Sequence, residues 1–251
     1  MRGRIGVGFL LLVGCGARTG LPVPEDVGIE GGGGATTEPR PNCGLVPLPR
    51  LVGRVWDQTP ASPDFEGPFI GDDRGIVEDE LGDDLTPVYA AAEDTPSTHG
   101  ATEYFVWFHD VPERNSGTDF ELPLGALGPN AVGSASDAFF PIDGQLLGNQ
   151  GRDHNYHFTL KLSATVRYRG GEVLELTGDD DLFVFFNGRL VLDLGGVHSP
   201  ETGVVAADEV AADVGLELGE DFALDVFFAE RHTTSSVFRL ALFGFESCAK
   251  P

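Results

Sequence analysis

The sequence predicts an all-β protein, folded as a single antiparallel β-sandwich with long surface loops. Three observations carry that expectation. Apolar runs of strand length recur between clusters of Gly, Pro and Asp. An Asn-Gly pair joins two of these runs as a tight hairpin. Helical periodicity is scarce, its best stretch being Ala206 to Gly219, where a short turn of helix should end at Gly215 or Gly219. A length of 251 residues is compatible with one core, because a single all-β domain can use about 200–250 residues.

Taken from the N-terminus, residues 1–14 have the layout of an export signal. Arg2 and Arg4 precede an apolar run, Ile5 to Val13, that is too short to span a bilayer. The run ends in Leu12-Val13-Gly14-Cys15, which resembles a bacterial lipobox. That resemblance implies that Cys15 is lipidated and becomes the mature N-terminus; a plain secretory signal with an incidental Cys is the alternative. A diacylated, N-acylated Cys15 supplies the several acyl chains that stable anchoring requires, and Gly16 at the next position points by analogy to the outer membrane or cell surface. Residues 15–42 are rich in Gly and Pro and read as a flexible tether.

The folded domain is expected over 43–248. Once Cys15 is set aside, Cys43 and Cys248 remain, one near each end of that span. An even pair in an exported chain reads as a disulfide, and domain termini are often close in space. Strands are expected in "GLVPLPRLVGRVWD", "TEYFVWFHD", "NYHFTLKLSATVRYRGG", "EVLELTG", "DLFVFFNGRLVLDL", "DFALDVFFAE" and "SVFRLALFGF". In the third, Phe158, Leu160, Leu162, Ala164, Val166 and Tyr168 share one face, as in a half-buried strand. The acidic, Gly- and Pro-rich stretch from Gln58 to Thr102 reads as an elaborate surface loop region, where function often resides.

Composition narrows the partners. The chain carries 40 Asp and Glu against 16 Lys and Arg, a formal charge of -24. Such a surface repels nucleic acid and anionic lipid headgroups and attracts cations. Contact with a membrane is therefore expected only through the lipid anchor.

The chemistry concentrates at "TGDDDLFVFFNGRLVLDLGGVHSP". Leu182 to Phe186 is an unbroken apolar run, which fits a strand covered on both faces. Asn187-Gly188 turns the chain, and Arg189 to Leu194 returns it. A two-residue turn sets strand starts beside strand ends, so Asp179, Asp180 and Asp181 belong at the same end of the sheet as Gly195, Gly196 and His198. Adjacent carboxylates repel, and hard oxygen ligands suit Ca²⁺. A solvated loop edge explains the same triplet equally well.

Together with "VGRVWDQTPASPDFEG", "YFVWF", "FFPIDGQLLGNQGRDHNYHFT" and "LDVFFAERHTTSSVFRL", this hairpin makes the chain resemble a fibro-slime domain. Fibro-slime domains are a branch of the PA-fourteen (protective-antigen-type) β-sandwich superfamily, found in bacterial and slime-mould surface proteins. The resemblance spans about Leu51 to Leu242 and implies a jelly-roll type sandwich. It also implies that Asp179 and Asp180 ligate Ca²⁺, which in sugar-binding members contacts vicinal sugar hydroxyls. Asp181 stands where many relatives carry Gly. The second ligand loop falls near Glu230 to Ser236, where no Asn is present and Glu230, Thr233 or Thr234 takes its place. Expected metal ligands are thus Asp179, Asp180, Asp181 and Glu230, with His198, Arg231, His232 and Thr233 facing the ligand.

Other chemistries find less support. His154 and His157 would face opposite sides of a strand and could not chelate one ion together, although His154, His198 and His232 could converge through the fold. Neither a nucleophile elbow, a zinc-protease helix nor a phosphate-cradling loop is present in the sequence. Trp56, Phe65, Trp107 and Phe108 could stack on sugar rings, but such aromatics are more often core. The expected protein is a non-catalytic, surface-anchored, calcium-dependent module binding a glycan, a matrix polysaccharide or a surface protein. The alternatives are a matrix or envelope protein with a purely structural Ca²⁺ and, behind it, a polysaccharide hydrolase.

Overall fold

The computed structural model describes residues 43–59 and 61–249. The expected signal peptide, the lipidation site Cys15 and the tether lie outside the described residues. In chain order the strands begin with β1 (Leu45–Pro47), β2 (Arg50–Gln58), β3 (Gly71–Asp72), β4 (Val77–Leu81) and β5 (Pro87–Tyr89). Helix α1 (Gly100–Phe105) and a 3-10 turn (Val106–Phe108) follow. Next come β6 (Asn115–Pro123), β7 (Gly125–Gly128), β8 (Ala131–Ser136), β9 (Phe158–Arg167), β10 (Val173–Asp179) and β11 (Asp181–Phe186). The chain continues through β12 (Arg189–Leu194), β13 (Gly196–Val197), β14 (Glu201–Ala206) and helix α2 (Ala207–Val214). It closes with β15 (Asp221–Glu230), β16 (Val237–Phe243) and β17 (Glu246–Cys248).

These strands make an antiparallel β-sandwich. The larger sheet runs β1-β17-β9-β15-β11-β12-β4-β5, with β2 joining β9 to β6; the smaller runs β14-β10-β16-β8-β7. Between them lies one core, fed by alternate residues of each sheet: Leu160, Leu162, Val184, Phe186, Val226 and Phe228 from one side, Leu174, Leu176, Phe238, Leu240 and Leu242 from the other. The apolar face expected on the strand after His157 is this inner face. Near the ends of the described residues, Cys43 and Cys248 are joined in a disulfide with Cα atoms 5.4 Å apart, continuing the pairing of β1 with β17.

The larger sheet is also covered on its outer side. Trp56, Phe183, Phe185 and Phe227 point outward from β2, β11 and β15 into a second core with Phe65, Ile76, Tyr104, Trp107 and Phe108. That explains the unbroken apolar run of β11, every residue of which is buried. The segment from Gln58 to Thr102 is the cover; besides loops it carries β3, β4 and β5. Here the strand expected for "TEYFVWFHD" is corrected: Gly100–Phe105 is helical and Val106–Phe108 a 3-10 turn. Tyr104, Trp107 and Phe108 are buried while Phe105 is 52% exposed, the i, i+3, i+4 spacing of a helical face and not the alternation of a strand. The aromatics Trp56, Phe65, Trp107 and Phe108 are core and offer no stacking platform.

Strands β6, β7, β8 and β14 carry weak sequence signals because small or polar residues suffice there. In β14, Gly203 leaves room for Leu192, whose Cδ1 would lie 2.4 Å from an added Cβ. At the hairpin, Asn187 and Gly188 take φ values of 49° and 76°, as the mirror-image turn requires. Among the described residues, no helix is long and apolar enough to cross a membrane.

One buried acid in the fold titrates within reach of experiment. Asp57 on β2 is fully buried; its Oδ2 accepts from Leu147 N at 2.8 Å, and its Oδ1 has no hydrogen-bond partner among the described residues. Burial pushes the carboxyl from its usual 3.8 up to about 6, against the opposing pull of the nearby polar groups of Asn155, the Leu147 backbone and Gln150. Since the folded value is raised, this group favours folding most below its unfolded pKa, and that contribution is lost as pH rises through the folded one. Asp57→Asn should therefore raise stability at pH 7 by about 1–2 kcal/mol, several degrees in melting temperature. The gain over wild type should vanish near pH 4; an equal gain at both pH values in thermal melts would reject the assignment.

Candidate functional site

The three carboxylates at the start of β11 have three different environments. Asp179 closes β10: its Oδ2 accepts from Ser235 Oγ at 2.8 Å and its Oδ1 from Val237 N. Asp180 lies between the strands, its N donating to Ala229 O at 3.2 Å and its Oδ2 accepting from Arg231 N at 3.0 Å. The peptide joining Asp179 to Asp180 is cis. Both side chains line a cleft of about 150 Å³ at this end of the sandwich. Its walls include His198 and Ser199 after β13, Glu230 at the end of β15, and His232, Thr234 and Ser235 in the loop before β16. Ile70, from the segment before β3, sits on the rim and is 64% exposed. As the hairpin geometry requires, Asp179 and Asp180 share their end of the sheet with His198.

Asp181 has a separate place. Its Oδ2 accepts from Arg231 Nε at 2.6 Å, and its Oδ1 from Arg231 Nη2 at 3.1 Å and Gly196 N at 2.7 Å. Both members of the ion pair are completely buried. The remaining donors of Arg231 reach Asp64 O, Ser97 O and Ser97 Oγ, and its guanidinium lies 4.7 Å from the Trp107 ring centre. Each N–H of the fork is thereby used. Gly196 reaches Asp181 with φ 126° and lies so close to the β3 backbone that an added Cβ would be 2.4 Å from Gly71 O. Asp181 and Arg231, expected as a metal ligand and a ligand-facing residue, are thus turned into the interior, because each satisfies the other's charge there.

The remaining expected residues divide. His198 and His232 line the cleft, but both ring nitrogens of His198 lie at hydrogen-bond distance from carbonyls, Ser199 O at 2.9 Å and Leu194 O at 3.1 Å. Thr233 is held through its backbone N, which donates to Glu66 Oε1 at 2.8 Å, while Thr234 and Ser235 provide the cleft's hydroxyls. Sequence reading passed over Glu66, which takes φ 58° and also meets His157 Nε2 at 3.2 Å. Its N donates to Arg231 O at 2.9 Å, so Glu66 pins the loop from both sides. His154 does not join the cleft; it pairs with Asp143 and stacks on Phe140.

Electrostatically the cleft floor is short of positive charge. Burial, opposed by Arg231 but reinforced by Asp181 and Asp179, pushes Asp180 from its usual 3.8 up to about 7. Burial and then the Asp180 charge raise Glu230 well above the ordinary carboxylate range. Glu230 is 1% exposed, and its Oε2 has no hydrogen-bond partner among the described residues. Among the described residues, no group of three or more His, Cys, Asp or Glu side chains is arranged to hold a metal ion by itself.

Fold and site together define an antiparallel β-sandwich with a carboxylate-floored cleft at one end. No family model matches the sequence. The chain is 35% identical to Protein psiD of Dictyostelium discoideum over 207 residues, covering 76% of this chain and 40% of that one. It is 36% identical to Protein psiQ of the same organism over 203 residues, covering 74% and 20% respectively. These relatives are Dictyostelium proteins, not bacterial lipoproteins, and the chain spans 40% or less of their length. Among solved structures it is similar to the PA14 domain of the MpAFP antifreeze protein, with TM-score 0.38 and 13% identity, covering 79% of this chain and 85% of that one. It is also similar to the PA14 sugar-binding domain from an RTX adhesin, with TM-score 0.36 and 10% identity, covering 78% and 89%.

The buried ion pair generates a direct test. Arg231→Met removes the cation and strands Asp181 in the interior, which should cost about 3–5 kcal/mol of unfolding free energy. Adding Asp181→Asn to that variant should recover part of the loss, because the buried charge is then gone. Denaturant unfolding of the three proteins measures both steps, and a single-variant cost below about 1 kcal/mol would contradict the assignment.

Proposed function

We propose that this chain is a non-catalytic, calcium-dependent binding module for hydroxyl-rich glycans, acting in adhesion at a cell surface or in an extracellular matrix. The observation that carries the reading is the cleft floor: Asp179, Asp180 and Glu230 line the same cleft, with carboxyl pKa values raised at the last two. The unpartnered buried Oε2 of Glu230 belongs to the same wall. Carboxylates confined in this way are stabilised by a divalent cation.

The donor set fits Ca²⁺ better than a transition metal. Asp179 and Asp180 supply carboxylate oxygens and Thr234 and Ser235 hydroxyls, and Glu230 stands behind them; Ca²⁺ accepts six to eight such mixed oxygens, whereas Zn²⁺ favours a tight shell of imidazole and thiolate. When bound, the ion supplies positive charge with coordination positions left to a ligand. The chain's own residues do the rest. Arg231 fixes Asp180 through its backbone N, Ser235 orients Asp179, and the walls bearing His198, His232 and Ile70 bound the space that a pair of sugar hydroxyls would enter. The resemblance of the hairpin and of the "FFAERHTTSS" segment to fibro-slime domains supports the same reading. The Cys43–Cys248 disulfide supports export to an oxidising compartment, with lipidation at Cys15 as the proposed anchor.

Calorimetric titration of the full chain with Ca²⁺ should show saturable binding. The Asp179→Asn/Asp180→Asn variant, still folded, should lose it by at least about tenfold in affinity. A glycan array probed with Ca²⁺ and then with chelator should retain the protein only in the first case. Absence of Ca²⁺ binding by the folded wild-type chain would reject the mechanism; Ca²⁺ binding without glycan retention would make the ion structural.

A further inference from the structure

Among the described residues, the smaller sheet has no equivalent of the cover that buries the outer face of the larger one. Its inner residues, Leu174, Leu176, Leu240, Leu242, Val205 and Val132, are assigned by the core, so their alternates point outward. Register sets these in rows. Ala206, Val173, Phe243 and Ala131 lie across β14, β10, β16 and β8; Val204, Glu175, Ala241 and Gly133 form the next row, and Thr202, Thr177, Arg239 and Ala135 the third. Leu127 of β7 lies over Gly133, its Cδ1 2.6 Å from where a Cβ would be.

A solvated antiparallel face normally reads polar, but this one does not. Val204 is 60% exposed, Leu127 54% and Phe243 41%, and small aliphatic or hydroxyl residues fill most other positions. The charged side chains of these rows are Glu175 and Arg239, one acid and one base on neighbouring strands, with Asp137 meeting Arg239 at the rim. In a chain of formal charge -24, this is a near-neutral window. An isologous contact sets a patch against itself, so any net charge on it is opposed by its own copy. Glu175 and Arg239 can instead pair across such a contact twice, each Arg239 bridging its own Asp137 and Glu175 of the other copy, which leaves one negative charge per copy.

We propose that the chain self-associates through this face, a second copy covering the outer side of the smaller sheet as Gln58 to Phe108 covers that of the larger. Glu175 of each copy then meets Arg239 of the other within an apolar surround. Only a few large apolar side chains, Val204, Leu127 and Phe243, are exposed on the face, so a reversible dimer is expected, not an obligate one. The cleft at Asp179 and Asp180 belongs to the end of the sandwich and is left free in both copies.

Sedimentation of the full chain across a concentration series, in chelator so that the cleft takes no part, should show a monomer–dimer equilibrium with dissociation constant in the micromolar range. Val204→Asp should abolish the dimer. Glu175→Arg and Arg239→Glu should each weaken it by about tenfold or more, and the two together should restore it to within about threefold of wild type. Thermal melts confirm that each variant is folded. A chain that stays monomeric to about 100 µM, a dimer indifferent to Val204→Asp, or a double swap that fails to restore association would overturn the proposal.

Discussion

The buried pair of Arg231 and Asp181 is the constraint on which the functional end of this protein depends. A guanidinium taken wholly out of water is tolerable only if its charge and every N–H are answered, and here the answers come from distant parts of the chain: Asp181 at the start of β11, and Asp64 and Ser97 in the segment that covers the larger sheet. One side chain thereby fastens the hairpin to its cover. The backbone of the same residue holds the Asp180 carboxylate. Position 231 therefore acts inward through its side chain and at the cleft through its peptide. The triplet of aspartates is not a single cluster: Asp181 completes the interior, while Asp179 and Asp180 face the cleft.

That division accounts for how an acidic cleft survives beside a hydrophobic core. Repulsion between Asp180 and Asp181 is offset by Arg231, which lies against both, and the energetic burden left over falls on Asp180 and Glu230. The fold fixes these carboxylates before any ligand arrives. Asp179 is tied to β16 through Val237 N, Asp180 to β15 through Ala229 O and to the residue just after it through Arg231 N, and the 231–236 loop to the cover through Glu66. A site held from three elements loses little entropy on binding.

Much of this was legible in the sequence where local rules are strong. The Asn187-Gly188 turn fixes which residues share an end, which is why Asp179, Asp180 and His198 could be placed together. Cys43 and Cys248 could be paired from their positions, and the end of α2 at Gly215 followed from its left-handed cap. The failures have physical causes. "TEYFVWFHD" carries β-propensity in its aromatics, but burial in the second core selected the helical spacing of Tyr104, Trp107 and Phe108. The separate role of Asp181 depends on a residue fifty positions away, in a loop whose basic side chain reads as ligand-facing until its burial is known. Glu66 gave no local signal at all, because its partners are His157 and Thr233.

The asymmetry between the two sheets has a further consequence for how the molecule is built. Among the described residues, only the larger sheet has both faces covered, and its cover is also what closes over Arg231. The functional end is therefore assembled on the doubly buried side, where the backbone is most constrained and carboxylates can be kept close together. The smaller sheet has no such task, and a residue as small as Gly203 suffices where Leu192 packs against it from the facing sheet. A surface free of that duty can stay flat and nearly uncharged without disturbing the cleft, so the proposed association and the proposed ligand binding would act independently in one domain.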